Sequence, residues 1–264
     1  MITGIKAFGV VVALAVAALF VAPACGAIVI DQAYSLGEND PGAVAGALGN
    51  SQTMDASGTN PLNLMLGTPT YRSDAAPGSS MSMEFGLNGE SYYQGPLVSS
   101  YTNNFGAEIW VKTSTATGGD HVIFSAGNTA TNGWSIFQQN NKWAFSYGSV
   151  IAVTGGTVNV GEWTHVAFVR DDGIGRLYVN GQVVGSTSAS MVSPVGHTLL
   201  GSNEPGYTLR KPFCGEIDDA VIFHFSAGQF NAAADLNYPS VPEPATLSLL
   251  AMGALATLRK GRGQ

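Results

Sequence analysis

A chain of 264 residues with 45% apolar side chains, only 11% charged ones and 34 glycines carries a net charge of −7. It is apolar enough to build a core and argues against disorder. Its acidic balance disfavours nucleic acid and anionic membrane surfaces as partners, leaving neutral glycans, cationic surfaces and divalent metals.

The first element reads as a secretory signal. Lys6 supplies the positive start, "AFGVVVALAVAALFV" the apolar stretch and "APACGA" the small residues of a cleavage site. Cuts after Ala24 and after Ala27 both satisfy the small-residue rule, and Ala27 is preferred. A lipoprotein cut before Cys25 is the weaker alternative, given Pro23. A first transmembrane helix is disfavoured by length and flanks. The organisation expected is therefore a signal peptide over 1–27, a domain over 28–240 and a tail over 241–264. Removal of Cys25 leaves Cys214 alone, as a small buried hydrophobe or, alternatively, a surface thiol, and not part of a disulfide framework.

Residues 28–104 read as strands separated by long loops. From Phe105 the period is two: "FGAEIWVK" sets Phe105, Ala107, Ile109 and Val111 on one face and Glu108, Trp110 and Lys112 on the other. "WSIFQQ", "KWAFSYG", "EWTHVAFVR" and "RLYVNGQVV" follow, each aromatic or β-branched and closed by a turn signal. Asn132-Gly133, Asn140-Asn141, Asp172-Gly173 and Asn180-Gly181 are those turns. Asn180-Gly181 is the strongest, because both residues tolerate the positive φ of a type I′ hairpin. Many short strands at this spacing predict an all-β sandwich. After the last strand, "FSAGQF" predicts a short helix from Ala227 to about Asn237. Ser226 is its N-cap, Gln229 completes a capping box and Phe225 packs on Phe230 as a staple.

The tail "VPEPATLSLLAMGALATLRKGRGQ" joins Pro242-Glu243-Pro244 to an apolar run, Ala245 to Leu258, and a basic end of Arg259, Lys260 and Arg262. As a helix that run reaches about 21 Å at 1.5 Å per residue, short of a hydrocarbon core of about 30 Å. A plain tail anchor is therefore marginal. The three-part pattern closely resembles the PEP-CTERM sorting signal. The resemblance implies a Gram-negative exporter that secretes exopolysaccharide and transient anchoring in the inner membrane through the C-terminal helix. It also implies an exosortase that recognises Pro242, Glu243 and Pro244 and removes the tail, leaving the protein at the cell surface or in the extracellular matrix.

The middle of the chain also resembles a known family. "DASG" with "LNLMLGTPTY", "SMSMEFGLNGESYY", "FGAEIWVK", "GEWTHVAFVRDDGIGRLYVNGQ" and the closing "FCGEIDDAVIFHFSAGQF" resemble, in order, the segments of laminin-G-like, concanavalin A-like domains. The resemblance covers most of residues 30–237 and implies a jelly roll of two antiparallel sheets. That superfamily hosts lectins, adhesion modules and glycosidases, so fold alone does not give function.

Glu216 and Asp218, two apart in "GEIDDAVIF", resemble the start of the E-x-D-x-E pattern that glucanases of this fold carry on one strand. A retaining mechanism needs two carboxyl groups on one face, and Ala220 stands where the acid/base belongs, so no catalytic residue is assigned. Asp218 has a second reading. Related sandwiches hold a structural Ca²⁺ with an Asp here, and Asp31, Glu38 or the Gly37 carbonyl could share it; the competing reading is a carboxylate that accepts loop N–H bonds. Asp219, on the opposite face, reads as solvated. The histidines 121, 165, 197 and 224 share no metal-binding spacing, and His165 reads as half-buried. Trp110, Trp134, Trp143, Trp163 and Tyr147 are candidate sugar contacts, because aromatic rings stack on the apolar faces of sugars. Asn203, Glu204 and Tyr207 are candidate rim contacts. The expectation is a non-enzymatic, exported recognition module for glycan or exopolysaccharide. The alternative is a structural or adhesive matrix protein without a sugar site, and a degenerate glycoside hydrolase is more remote.

Overall fold

The computed structural model describes residues 28–86, 90–97, 99–115, 119–203 and 212–238. The signal sequence, Glu204, Tyr207, the Pro242-Glu243-Pro244 motif and the apolar tail lie outside the described residues. Within them the chain forms two eight-stranded antiparallel sheets. Sheet A runs in the order β14 (Gln182–Thr187), β13 (Ile174–Val179), β12 (Thr164–Asp171), β7 (Phe105–Thr113), β16 (Gly215–His224), β5 (Ser82–Phe85) and β4 (Thr70–Arg72), with β1 (Val29–Tyr34) also paired to β16. Sheet B runs β11 (Val150–Gly155), β10 (Lys142–Tyr147), β9 (Trp134–Gln139), β8 (His121–Ala126), β15 (His197–Leu200), β6 (Tyr92–Pro96), β3 (Leu62–Leu66) and β2 (Gln52–Thr53).

The expected period-two strands form, and their apolar faces meet between the sheets. Phe105, Ala107, Ile109 and Val111 join the central core, as do Trp134, Trp143 and Phe145 from sheet B. Phe145 and Phe168 stack face to face across the sandwich, with centroids 3.5 Å apart. Two polar bridges also cross it. Thr113 Oγ1 donates to Gln138 Oε1 at 3.0 Å, and Thr198 Oγ1 donates to Gln32 Oε1 at 2.9 Å. These buried groups are satisfied by each other, which removes the cost of taking them out of water.

The turns follow the sequence where geometry demands a positive φ. Asn180 and Gly181 sit at φ 49° and 74°, Asn140 and Asn141 at 49° and 60°, and Asp172 and Gly173 at 47° and 79°. Asn132-Gly133 differs: β8 and β9 are joined by a longer loop in which the Asn128 carbonyl accepts from the amides of Thr131, Asn132 and Gly133.

The helix after the last strand is shorter than expected. It spans only Ala232–Asp235 (α1), and its N-cap is Asn231, whose side chain accepts from Ala233 N. Ser226 instead begins a tight turn closed by Gln229 N on its carbonyl, with Gly228 at φ 70°. A left-handed glycine inside the segment stops helix growth there. The expected aromatic pair survives, since the rings of Phe225 and Phe230 lie 5.2 Å apart.

Candidate functional site

The outer face of sheet A is organised as cross-strand rows. Register aligns Ala167, Glu108 and Val221 in one row, and Val169, Gly106 and Phe223 in the next. His165, Trp110 and Asp218 form a third. Lys112, Glu216 and Glu84 form a fourth, and Trp163, one residue before β12, shares with Lys112 a hydrogen bond to Asp74. The face is apolar at one end and charged at the other.

The apolar end is covered. Ala167, Val169, Tyr178 and Phe223 pack beneath Phe225, Phe230 and Leu236, so residues 225–238 cross the sheet as a strap. Trp110 lies under the end of this strap. It is 3% exposed, donates from Nε1 to the Asn237 carbonyl at 3.0 Å and stacks on Tyr238 at 5.7 Å. His165 is fully buried rather than half-buried. Its Nε2 meets Glu108 Oε2 at 3.0 Å, and the same oxygen accepts from Asn237 N at 2.9 Å.

The charged end is open. Lys112 Nζ bridges Asp74 and, at 2.9 Å, Glu216; Arg72 pairs with Glu84. Trp163 Nε1 donates to Asp74 Oδ1 at 2.8 Å, and its ring keeps partial exposure. The Lys112 and Trp163 hydrogen bonds hold the Asp74 carboxyl below its ordinary value. This short chain of bonds restrains the Trp163 indole N–H.

The other aromatic candidates are spent on packing, which corrects their reading as sugar contacts. Trp134 (2% exposed), Trp143 (0%) and Tyr147 (8%) lie in the core between the sheets, and Trp110 is capped by Tyr238. Rings enclosed on both faces have none to offer a ligand. Asn203 is buried as well. No local feature of the sequence separates Trp163 from the rest: Trp134 also directly follows a turn, Asn132-Gly133, and is buried.

Glu216 and Asp218 do share the outer face, ahead of an irregularity in their strand. A β-bulge interrupts β16 between Asp218 and Val221, with Asp219 at φ 44°. Beyond it the alternation flips, so Ala220 faces the core with Ile217 and Ile222. The position where a second acid would stand therefore points inward. Asp218 is wholly buried. Its Oδ2 accepts from Ala76 N at 3.0 Å and its Oδ1 from Asp219 N at 2.9 Å. Burial, then the Asp219 charge, pushes its carboxyl up to about 8. Asp219 is half-buried rather than solvated, and burial and the Glu38 charge raise it. Glu38 Oε1 gathers the Ser80 and Met81 amides, each at 2.7 Å. Asp31 instead binds His224 Nδ1 at 2.8 Å. No three His, Cys, Asp or Glu among the described residues converge as a metal shell. A Ca²⁺ at Asp218 would therefore draw most of its six to eight oxygens from backbone, hydroxyls and water. Cys214 is free and partly exposed, and burial raises its thiol.

Comparison with known proteins agrees with this architecture. Among solved structures, domain 4 of AbnA, a GH43 extracellular arabinanase from Geobacillus stearothermophilus, in complex with arabinotriose, superposes with TM-score 0.56 at 23% identity, covering 76% of this chain and 95% of that one. Trypanosoma rangeli sialidase in complex with sialic acid gives 0.53 at 16% identity, over 77% of this chain and 31% of that one. The botulinum neurotoxin serotype D binding domain gives 0.52 at 12% identity, over 76% and 49%. At these identities the likeness is one of fold, and this chain spans under half of the sialidase and the toxin domain. No curated protein sequence matches the chain. The PEP-CTERM protein-sorting motif matches residues 240–262 and marks an exported protein sorted to the cell envelope. A profile of the concanavalin A-like lectin/glucanases superfamily matches residues 87–227, more than half of the chain, and the protein belongs to that superfamily.

Proposed function

We propose that the domain is a non-catalytic recognition module that binds a glycan on the open charged row of sheet A, with Trp163 as its stacking platform. The observation that carries this reading is the state of the four tryptophans. Three are enclosed, whereas Trp163 stays partly exposed, its indole N–H held by Asp74, itself tied to Lys112. An aromatic ring beside ion-paired carboxylates and an ammonium provides both things a sugar needs: an apolar face to stack on and directed partners for its hydroxyls. The arabinotriose and sialic acid named with two similar structures support a saccharide as the ligand class. The absence of an enzymatic role is supported by Asp218, buried and bound by amides, and by the inward turn of Ala220.

The glycan partner on this reading is exopolysaccharide at the surface of a Gram-negative cell, reached after exosortase processing. A structural Ca²⁺ at Asp218 belongs to the same proposal. Three mutually repelling carboxyl groups, Asp218, Asp219 and Glu38, act on one another there, and a divalent cation would relieve that repulsion and brace the rim.

A glycan array and titration calorimetry on the exported protein, in Ca²⁺ and in EDTA, test the reading. The expected result is binding to a polysaccharide that Trp163→Ala weakens at least about tenfold, equivalent to about 1.4 kcal/mol. Absence of binding to any polysaccharide, including that of the producing cell, overturns it in favour of a matrix protein with protein partners. Equal affinity of Trp163→Ala and wild type would move the site elsewhere.

A further inference from the structure

The strap ends close to the sorting signal. Tyr238 is the last described residue of the strap, and the sorting motif begins two residues later. Three side chains of the sheet grip its final residues. Glu108 accepts the Asn237 amide at 2.9 Å, Trp110 donates to the Asn237 carbonyl at 3.0 Å, and Trp110 and His165 both face the Tyr238 ring, each at 5.7 Å between centroids. Both backbone groups of Asn237 are thus satisfied by side chains of β7, a pairing that ordinary loop packing does not require. Asn237 Nδ2 also reaches Asp219 Oδ2 at 3.4 Å. Gly181 completes the seat, since a Cβ there would lie 2.8 Å from Tyr238 Cδ1. Buried His165 Nδ1 finds no partner in this arrangement, although Nε2 is bonded to Glu108. The imidazole is therefore held by one bond and by the rings above it.

We infer that Glu108, Trp110 and His165 form an intramolecular binding site for Leu236–Tyr238, and that this clamp sets the tether on which the sorting signal is offered to its membrane-bound processing enzyme. From Tyr238 to Pro242 a fully extended chain spans at most about 14 Å at 3.3–3.6 Å per residue. With the clamp closed, the sandwich must stay that close to the motif while the enzyme takes the motif up. With the clamp open and Asp235 as the last anchored residue, the reach grows to about 25 Å. A folded domain held at the shorter distance hinders entry of the motif into an enzyme site, so the clamp slows tail removal and release relaxes that constraint. This inference depends on the sorting motif and the strap, not on glycan binding.

The test is a pulse-chase of the full-length protein in a cell that carries the processing enzyme, following conversion of precursor to the shortened form. Glu108→Ala and Trp110→Ala, which remove the acceptor and the donor that hold Asn237, are expected to speed conversion several-fold. An insertion of six Gly/Ser residues after Tyr238, which lengthens the tether and leaves the clamp intact, is expected to do the same. Hydrogen exchange should show the Asn237 amide protected in wild type and in the insertion variant, and unprotected in the clamp variants. Conversion at the wild-type rate or slower in the insertion variant overturns the tether argument even if a clamp variant misfolds. Faster conversion with the insertion but not with a folded clamp variant overturns the role of the clamp.

Discussion

Trp110 and Trp163 point to the same face of one sheet, yet of the two only Trp163 meets solvent, because residues 225–238 cover Trp110. At the open end, Asp74 connects Trp163 to Lys112. Its carboxyl is held low, so the stability it contributes is present above the ordinary carboxylate value and is lost as pH falls through its depressed one. Asp74→Asn should therefore lower the melting temperature slightly at neutral pH and match wild type in strong acid, as a thermal melt series in pH would show. Asp218 has the opposite sign. Its carboxyl is raised to about 8, so it is neutral in the folded protein well above the point where the unfolded chain ionises. Its contribution is fully present below about 4, the unfolded value, and is lost as pH rises through about 8. In EDTA, wild type should lose stability between those limits, and Asp218→Asn should flatten that slope. If Ca²⁺ binds, it should flatten the wild-type slope and raise its melting temperature, with no such rise in Asp218→Asn. A wild-type melting temperature indifferent to Ca²⁺ removes the metal from the proposal.

At the scale of elements, two irregularities decide how the site is laid out. The bulge in β16 turns Ala220 inward and puts Val221 and Phe223 on the outer face, where they support the strap. Without it, the second half of the strand would present the other set of side chains, and the strap would lose its apolar floor. The second is the Asn180-Gly181 turn. Gly181 sits at φ 74° and leaves room for the Tyr238 ring. Gly181→Ala should cost about 1–2 kcal/mol from the left-handed backbone alone, and it should also dislodge Tyr238. Thermal denaturation reads the first effect; faster exchange of the Asn237 amide reads the second. The shortened helix follows from the same competition. Ser226 and Gln229 carry a capping pattern, but Gly228 in a left-handed turn and the rings of Phe225 and Phe230 on the sheet fix the segment before a helix can extend.

For the whole molecule, stability rests on the aromatic core joining the sheets. Trp143→Ala should cost about 3–5 kcal/mol through lost burial and a cavity, a large part of the 5–15 kcal/mol typical of a domain. A chemical denaturation curve should show the loss, with Trp143→Phe falling between the two. The sequence by itself determined the alternating strands, because a period of two with apolar residues on one side buries a face only as a sheet. It also determined three of the positive-φ turns and the C-terminal sorting motif, since these depend on neighbours in the chain. Which tryptophan faces water was not legible, because all four lie in similar aromatic stretches and burial is set by what packs on them from elsewhere. The same holds for the inward turn of Ala220, which a bulge produces with no local mark. The grip of Glu108, Trp110 and His165 on Asn237 and Tyr238 joins residues far apart in the chain, and only the tertiary fold, by laying the strap back over sheet A, brings those side chains within hydrogen-bonding distance.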